Sequence, residues 1–168
     1  MRLIALFSLA ALAALALQTS LPHLLPARLY APDFILILAV DLGLRYHSVP
    51  GVAMAFGMGY ATDAFAGSQL GLNALLVTIV FLLAYWVSRS LVSTSAAVGA
   101  IVVFVAVLLH NLGGYIVSAG WSEPAPLGAL MGPALLQATL TALLTPWVFG
   151  VMEEAARTIG LRSRNPRE

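Results

Sequence analysis

The sequence contains no cysteine and no lysine, and it has few charges of either sign. Without cysteine, the chain has no disulfide, no thiolate metal site and no cysteine nucleophile. Charged residues make up 9% of the chain, against roughly 25% in soluble domains, which is too few to cover a water-facing surface. Apolar residues make up 61%. We therefore expect lipid to be the solvent for most of this protein. The net charge of +1 argues against nucleic acid as a partner.

Long uncharged runs predict an all-α polytopic membrane protein, because about 20 apolar residues cross a bilayer and backbone inside lipid must be helical. We predict six transmembrane helices, at approximately 3–22, 32–47, 49–66, 69–88, 94–118 and 127–151. The loops between them are short. The prediction is therefore one transmembrane domain over residues 1–152, a basic cytoplasmic tail over 153–168 and no extramembrane domain.

The two ends of the chain need interpretation of their own. The first 20 residues also resemble a signal peptide, with one arginine and an apolar core. The uncharged run continues to Ala27, which favours a retained first helix. With a cytoplasmic N-terminus, seven of the eight arginines lie inside and only Arg28 lies outside. This distribution predicts that both termini are cytoplasmic.

Four polar residues are predicted to share one layer near the outer face. At a helical rise of 1.5 Å, Asp63 lies about 21 Å and His110 about 24 Å from the inner ends of their helices. Asn73 begins the next helix after Asp63, and Asp33 begins the second helix. This polar layer is a candidate contact for a partner. Considered singly, Asp33 can complement a helix dipole, and His110 can be a hydrogen-bonded core histidine.

Asp63 has two competing interpretations. It lies in the last turn of its helix, where the dipole disfavours an anion, and no arginine lies four residues away. The carboxylate can close a helical hairpin by accepting backbone N–H bonds from residues 68–70. Alternatively it is a site or a partner contact, since intramembrane charges are expensive and usually functional. The turn itself is predicted at Gly67, Ser68 and Gly71.

A second intramembrane carboxylate, Asp41, has a local partner. Arg45 follows it by four residues, which is the favourable order for an ion pair within a helix.

Small residues recur at four-residue spacing on two helices, where they allow close approach of helix backbones. The residues are Ala53, Gly57 and Ala61 on one row of the third helix, Gly59 on its next row, and Gly128 and Gly132 on the sixth helix. Internal packing and docking of another protein's helix both fit this spacing.

Known intramembrane catalytic motifs are missing. The chain lacks the Gly-x-Ser-Gly motif of rhomboid proteases, the Gly-x-Gly-Asp motif of intramembrane aspartyl proteases and the His-Glu-x-x-His motif of zinc proteases. Its three histidines fall in different loops and helices, without a ligand spacing. We expect neither an enzyme nor a cofactor or metal.

An ordered set of motifs resembles the MreD family of rod-shape-determining membrane proteins. The set comprises "PDFILILAVDLGLR" (32–45), Gly59 four residues before Asp63, "GLNA" (71–74), and "LLTPWVFGVM" (143–152). Ala55 stands where members often have a further glycine, and Asp41 is not part of the pattern. Length and six spans agree with the family.

The resemblance implies a non-enzymatic component of the bacterial cell-wall elongation complex in the inner membrane. Such a protein assembles with the bitopic protein MreC and links the MreB filament to RodA and the elongation transpeptidase, which build peptidoglycan. The family also resembles the substrate-binding component of ECF vitamin transporters in fold. This second resemblance supplies the alternative function, a small-molecule binder whose outer polar layer would be a pocket.

Overall fold

The computed structural model describes residues 2–24, 31–46, 49–66, 71–90, 95–120 and 126–160, and these residues form an all-α protein. Its six helices are α1 (Arg2–Leu24), α2 (Phe34–Arg45), α3 (Val49–Ala66), α4 (Leu72–Ser90), α5 (Ala96–Ala119) and α6 (Leu127–Thr158). The all-α class is therefore confirmed.

Helix boundaries differ most from the sequence-based predictions at two places. α4 begins at Leu72, because Gly71 before it has a left-handed backbone with φ +98°. α6 continues through Thr158, so the first six residues of the predicted tail are helical. The last eight residues of that tail, 161–168, lie outside the described residues, as do Gly67 and Ser68 of the predicted turn.

The shortest helix, α2, lies at the centre of the bundle. It contacts all five other helices, which surround it in the order α1, α3, α4, α5, α6 and back to α1. Every residue from Phe34 to Leu44 is buried. α2 is thus a helix that is apolar apart from Asp41 and is shielded by protein on all sides.

The outer helices present apolar side chains to their surroundings. Large hydrophobic residues are exposed on α1, α3, α4, α5 and α6, as expected where lipid replaces water. Four helices are long and apolar enough to cross a membrane, namely α1, α4, α5 and α6. α2 has 12 residues and reaches only about 18 Å. Six spans therefore remain a prediction, with α2 as the shielded member.

α2 and α6 run parallel and in register. The Asp33 backbone N–H donates to the Thr141 hydroxyl at 3.1 Å, near the start of α2. Arg45, at the end of α2, bonds to Glu153 at 3.3 Å. Both pairs are separated by 108 positions in the chain, so the two helices advance together. We refer below to the Asp63 end and the Arg45 end of the bundle.

Candidate functional site

The Asp63 carboxylate binds the first turn of the next helix. Its Oδ2 accepts from the backbone N–H groups of Gly71 at 2.9 Å and Ala74 at 3.1 Å. Its Oδ1 accepts from the Asn73 backbone N–H at 3.1 Å and from the Asn73 side-chain amide at 2.9 Å. The side chain is fully buried. A negative charge at a helix N-terminus is favoured by both the free N–H groups and the dipole, so Asp63 stabilises the start of α4.

Gly59 allows this contact to form. It lies one turn before Asp63 on α3, and a Cβ atom there would come within 2.5 Å of the Asn73 carbonyl oxygen and 2.6 Å of the Ala74 Cα. Both contacts are with backbone, which has no rotamer by which to move away. The Gly-x-x-x-Asp spacing therefore combines a close approach at Gly59 with an acceptor at Asp63.

The polar contacts continue from Asn73 to α5. The Asn73 side-chain nitrogen faces Asp63, so its Oδ1 faces His110, whose Nε2 lies 2.9 Å away. An amide oxygen can only accept, so His110 donates from Nε2. We call Asp63, Asn73 and His110 the Asp63 network. It joins α3, α4 and α5 at one level of the bundle.

Asp33, the fourth predicted member of the layer, belongs to a different set of contacts. It is the N-cap of α2 and accepts from the Leu36 N–H at 3.1 Å, consistent with the dipole interpretation. It also accepts from the Gln18 side chain of α1 at 3.0 Å. The structure therefore brings Asp63, Asn73 and His110 together but places Asp33 in a neighbouring group.

That neighbouring group contains residues that the sequence analysis missed. The Asn111 amide donates to Gln137 of α6 at 3.1 Å, and Gln137 donates to the Ala31 carbonyl at 3.1 Å. Together the group comprises Gln18, Asp33, Asn111, Gln137 and Thr141, which we call the Asp33 network. His110 and Asn111 are consecutive, so α5 carries both networks. One pattern in the sequence could have indicated this group. Polar residues recur every four positions on one face of the apolar α6, at Gln137, Thr141 and Thr145.

Comparison with known proteins identifies the family. The sequence profile described as "MreD: rod shape-determining protein MreD" matches residues 1–155. The chain belongs to the MreD family. No curated protein and no solved structure matches it. The predicted likeness to the ECF component fold therefore stays a prediction.

The motifs on which the resemblance to MreD proteins rests lie where the helices meet. Asp33 and the helix after it form the central α2, and Gly59, Asp63 and Asn73 form the α3–α4 contact. Membership in this family shows that the chain is a rod-shape-determining membrane protein. The family is a structural one and is not known as a family of enzymes. Over the described residues, no group of three or more histidine, aspartate or glutamate side chains could hold a metal ion.

At the Arg45 end, the predicted ion pair is confirmed and extended. Arg45 Nε lies 2.6 Å from Asp41 Oδ1; the two atoms are not aligned as a hydrogen bond, so the contact is an ion pair. The Arg45 guanidinium also stacks over the Phe149 ring at 5.2 Å and pairs with Glu153. Arg157 bonds to the same Glu153 from one turn later. The sequence reading missed Glu153 because it assigned that residue to the tail.

The small-residue rows divide between the interior and the surface. Gly59 packs internally as described, and Ala61 is half-buried against the core. In contrast, Ala53 and Gly57 are exposed, and among the described residues no atom outside the local backbone of α3 lies within 4 Å of a Cβ position at Gly57. Gly128 and Gly132 on α6 are equally open. In the part of the chain that the structure describes, these four residues are exposed, so internal packing does not account for their spacing there.

Two glycines of α3 offer a matched test. Gly59→Ala is expected to push α3 and α4 apart and to lower the free energy of unfolding by about 1–3 kcal/mol, the usual cost of overpacking. Gly57→Ala makes the same change two residues earlier in open space, and we expect it to be neutral or slightly stabilising. Thermal unfolding in detergent measures both variants. Equal stability of the two would contradict the close approach at Gly59.

Proposed function

We propose that this protein is a non-enzymatic assembly component of the cell-wall elongation complex, set in the bacterial inner membrane by six helices with both termini in the cytoplasm. The match to MreD over residues 1–155 is the observation that supports this function most directly. The apolar exposed faces of five helices support a location within the bilayer. Its proposed partners are MreC in direct contact, RodA and the elongation transpeptidase within the complex, and MreB indirectly.

The exposed row on α3 is the proposed docking face for MreC's single helix. Ala53 and Gly57 leave a shallow strip on which another helix backbone can approach closely. Phe56 and Tyr60 lie beside the strip with their rings stacked, the centroids 6.5 Å apart. These rings form one wall for a helix seated on the glycine. In lipid, van der Waals contact of this kind drives helix association.

The Asp63 network supports docking indirectly. Its carboxylate is already engaged by the N-terminus of α4, so it fixes the angle between α3 and α4 instead of offering itself to a partner. The face of α3 that carries Gly57 is thereby held in a single orientation. Asp63 is a positioning residue for the docking face in this proposal.

A large side chain in the row of small residues on α3 tests the proposed docking face. We expect Gly57→Leu to reduce the MreC that co-purifies in mild detergent at least tenfold, which corresponds to about 1.4 kcal/mol of binding free energy. Leu9→Phe on exposed α1 adds bulk away from the row and serves as the control. The proposed docking face is contradicted if Gly57→Leu accumulates in the membrane and retains as much MreC as the control does.

Depletion tests the function apart from the docking face. Rod-shaped cells are expected to become round when the protein is depleted, and MreC is expected to lose its normal localisation. Cells that keep both the rod shape and the MreC pattern would contradict the proposed function, whatever Gly57→Leu does.

A further inference from the structure

A groove lies between α5 and α6 on the outside of the bundle. Its volume is about 290 Å³. The residues that line it are Ala100, Ile101 and Phe104 of α5 and Thr139, Ala142 and Leu143 of α6. Ile101 and Leu143 are 65% and 71% exposed, so the groove opens to the surroundings of the protein and not into its interior. We call it the α5–α6 groove.

The lining of the α5–α6 groove offers almost only hydrocarbon. Every lining residue except Thr139 has an apolar side chain. The Thr139 hydroxyl donates to the Leu135 carbonyl of its own helix at 2.8 Å, so it is already engaged. Sites for small polar ligands contain a few polar groups that fix the orientation of the ligand. The α5–α6 groove has no such set, which argues against a water-soluble ligand and fits a hydrocarbon chain.

The depth of the groove follows from Trp147. Tryptophan is enriched at the level of the lipid headgroups, and Trp147 is 68% exposed. From Trp147 to Leu127, where α6 begins, is about 30 Å, which is the thickness of a hydrocarbon core. Thr139 and Leu143 lie about 12 and 6 Å from Trp147 toward the middle of that core. The groove is therefore at the depth where acyl chains follow their ester groups.

One face of α6 leads from the groove to this boundary. Leu143, Trp147 and Gly150 follow at spacings of four and three, and helical side chains lean toward the N-terminus, so the Trp147 ring leans toward Leu143. Among the described residues, no hydrogen bond reaches the Trp147 indole N–H, and no atom outside the local helix backbone lies within 4 Å of a Cβ position at Gly150. An apolar groove, an N–H donor and open space thus follow in the order of acyl chain, ester and headgroup.

We propose that the α5–α6 groove binds one acyl chain of a diacyl phospholipid as a structural ligand, with an ester oxygen accepting from the Trp147 indole N–H. A chain in the groove contacts two helices, whereas a chain against a single convex helix contacts one, so the van der Waals attraction is larger in the groove. The proposal gives the motif "LLTPWVFGVM" (143–152) a role that the docking face on α3 does not supply. It depends neither on MreC nor on the direction of insertion.

Native mass spectrometry of the full chain measures the retained lipid. The protein is extracted from bacterial membranes in mild detergent without added lipid, and the mass of each adduct identifies its chemical class. Ala142→Leu fills the groove, and Ala13→Leu makes the same change on an exposed position of α1 as the control. Trp147→Phe keeps an aromatic ring and removes the N–H donor. Ala100→Leu fills the groove from α5 and replaces Ala142→Leu if that variant does not fold.

We expect the wild type and Ala13→Leu to retain one phospholipid per chain. Ala142→Leu should retain roughly tenfold less, because its side chain occupies the space of the acyl chain. Trp147→Phe should retain about threefold less, as for one lost hydrogen bond. The proposal is overturned if the wild type retains no lipid, if Ala142→Leu retains as much phospholipid as Ala13→Leu, or if the adduct is an isoprenoid lipid. Unchanged retention by Trp147→Phe would contradict the ester contact.

Discussion

Asp63→Ala is expected to lower the free energy of unfolding by at least about 3 kcal/mol, because one carboxylate serves four donors. Three backbone N–H groups of α4 and the Asn73 amide lose their acceptor together. Each buried donor left unsatisfied costs roughly 1–3 kcal/mol. Asp63→Asn keeps one acceptor oxygen and should lose about half as much. Reversible unfolding in mixed detergent micelles measures both variants.

Asp33→Ala is the matched control for this loss. Asp33 also caps a helix, but its carboxylate accepts from one backbone N–H and one side chain. We therefore expect a smaller destabilisation, about 1 kcal/mol for a lost N-cap. If Asp63→Ala is as stable as the wild type yet loses MreC, the carboxylate contacts a partner and the hairpin interpretation is wrong. If stability and MreC binding fall together, Asp63 acts through the position of α4.

The local features of this fold could be predicted from the sequence. Uncharged runs predicted six helices, and the bounds of α3 agree at both ends. The pair of Asp41 and Arg45 followed from their spacing of four. For Asp63, the hairpin interpretation named the correct helix as its partner, although the described bonds reach Gly71, Asn73 and Ala74. These features depend on residues close in the chain, where helical geometry fixes the distances.

The relations between distant helices could not be predicted in the same way. Thr141 and Glu153 meet α2 across 108 positions, and no periodicity within α6 indicates which helix its polar face meets. The sequence also did not predict that α2 lies at the centre of the bundle. The sequence predicted it as one span among six, at 32–47, whereas its burial shows that it faces protein on all sides. Composition separates lipid from water as the solvent, but it does not separate lipid from a neighbouring helix, because both are apolar.

Which of the small residues are exposed could not be predicted either, because it depends on which helix each face meets. Gly57 and Gly59 lie two positions apart on one helix and looked equivalent in the sequence. The path of α4 places backbone against a Cβ position at Gly59, whereas the described residues place nothing within 4 Å of a Cβ position at Gly57. Each row of small residues could therefore be assigned to the interior or to the surface only after the helix facing it was known.

Arg45→Met is expected to cost about 3–5 kcal/mol, the usual penalty for leaving a buried charge without its partner. Asp41 is 1% exposed, and the Arg45 guanidinium 2.6 Å away is its counter-ion. Methionine keeps the apolar stem of arginine but removes the guanidinium, and with it both the charge and the stacking on Phe149. The loss should therefore report mainly the missing charge, together with the cation–π contact to Phe149. Unfolding in mixed micelles measures it.

A double variant separates the two explanations of that loss. Asp41→Asn removes the buried charge, so Asp41→Asn combined with Arg45→Met should recover most of the stability lost by Arg45→Met alone. If Arg45 acts mainly as the link from α2 to Glu153 of α6, the double variant stays as unstable as Arg45→Met. Glu153→Gln distinguishes this case further, since it breaks the link to α6 while Asp41 keeps its counter-ion. We expect Glu153→Gln to cost about 1 kcal/mol or less, because Glu153 is partly exposed.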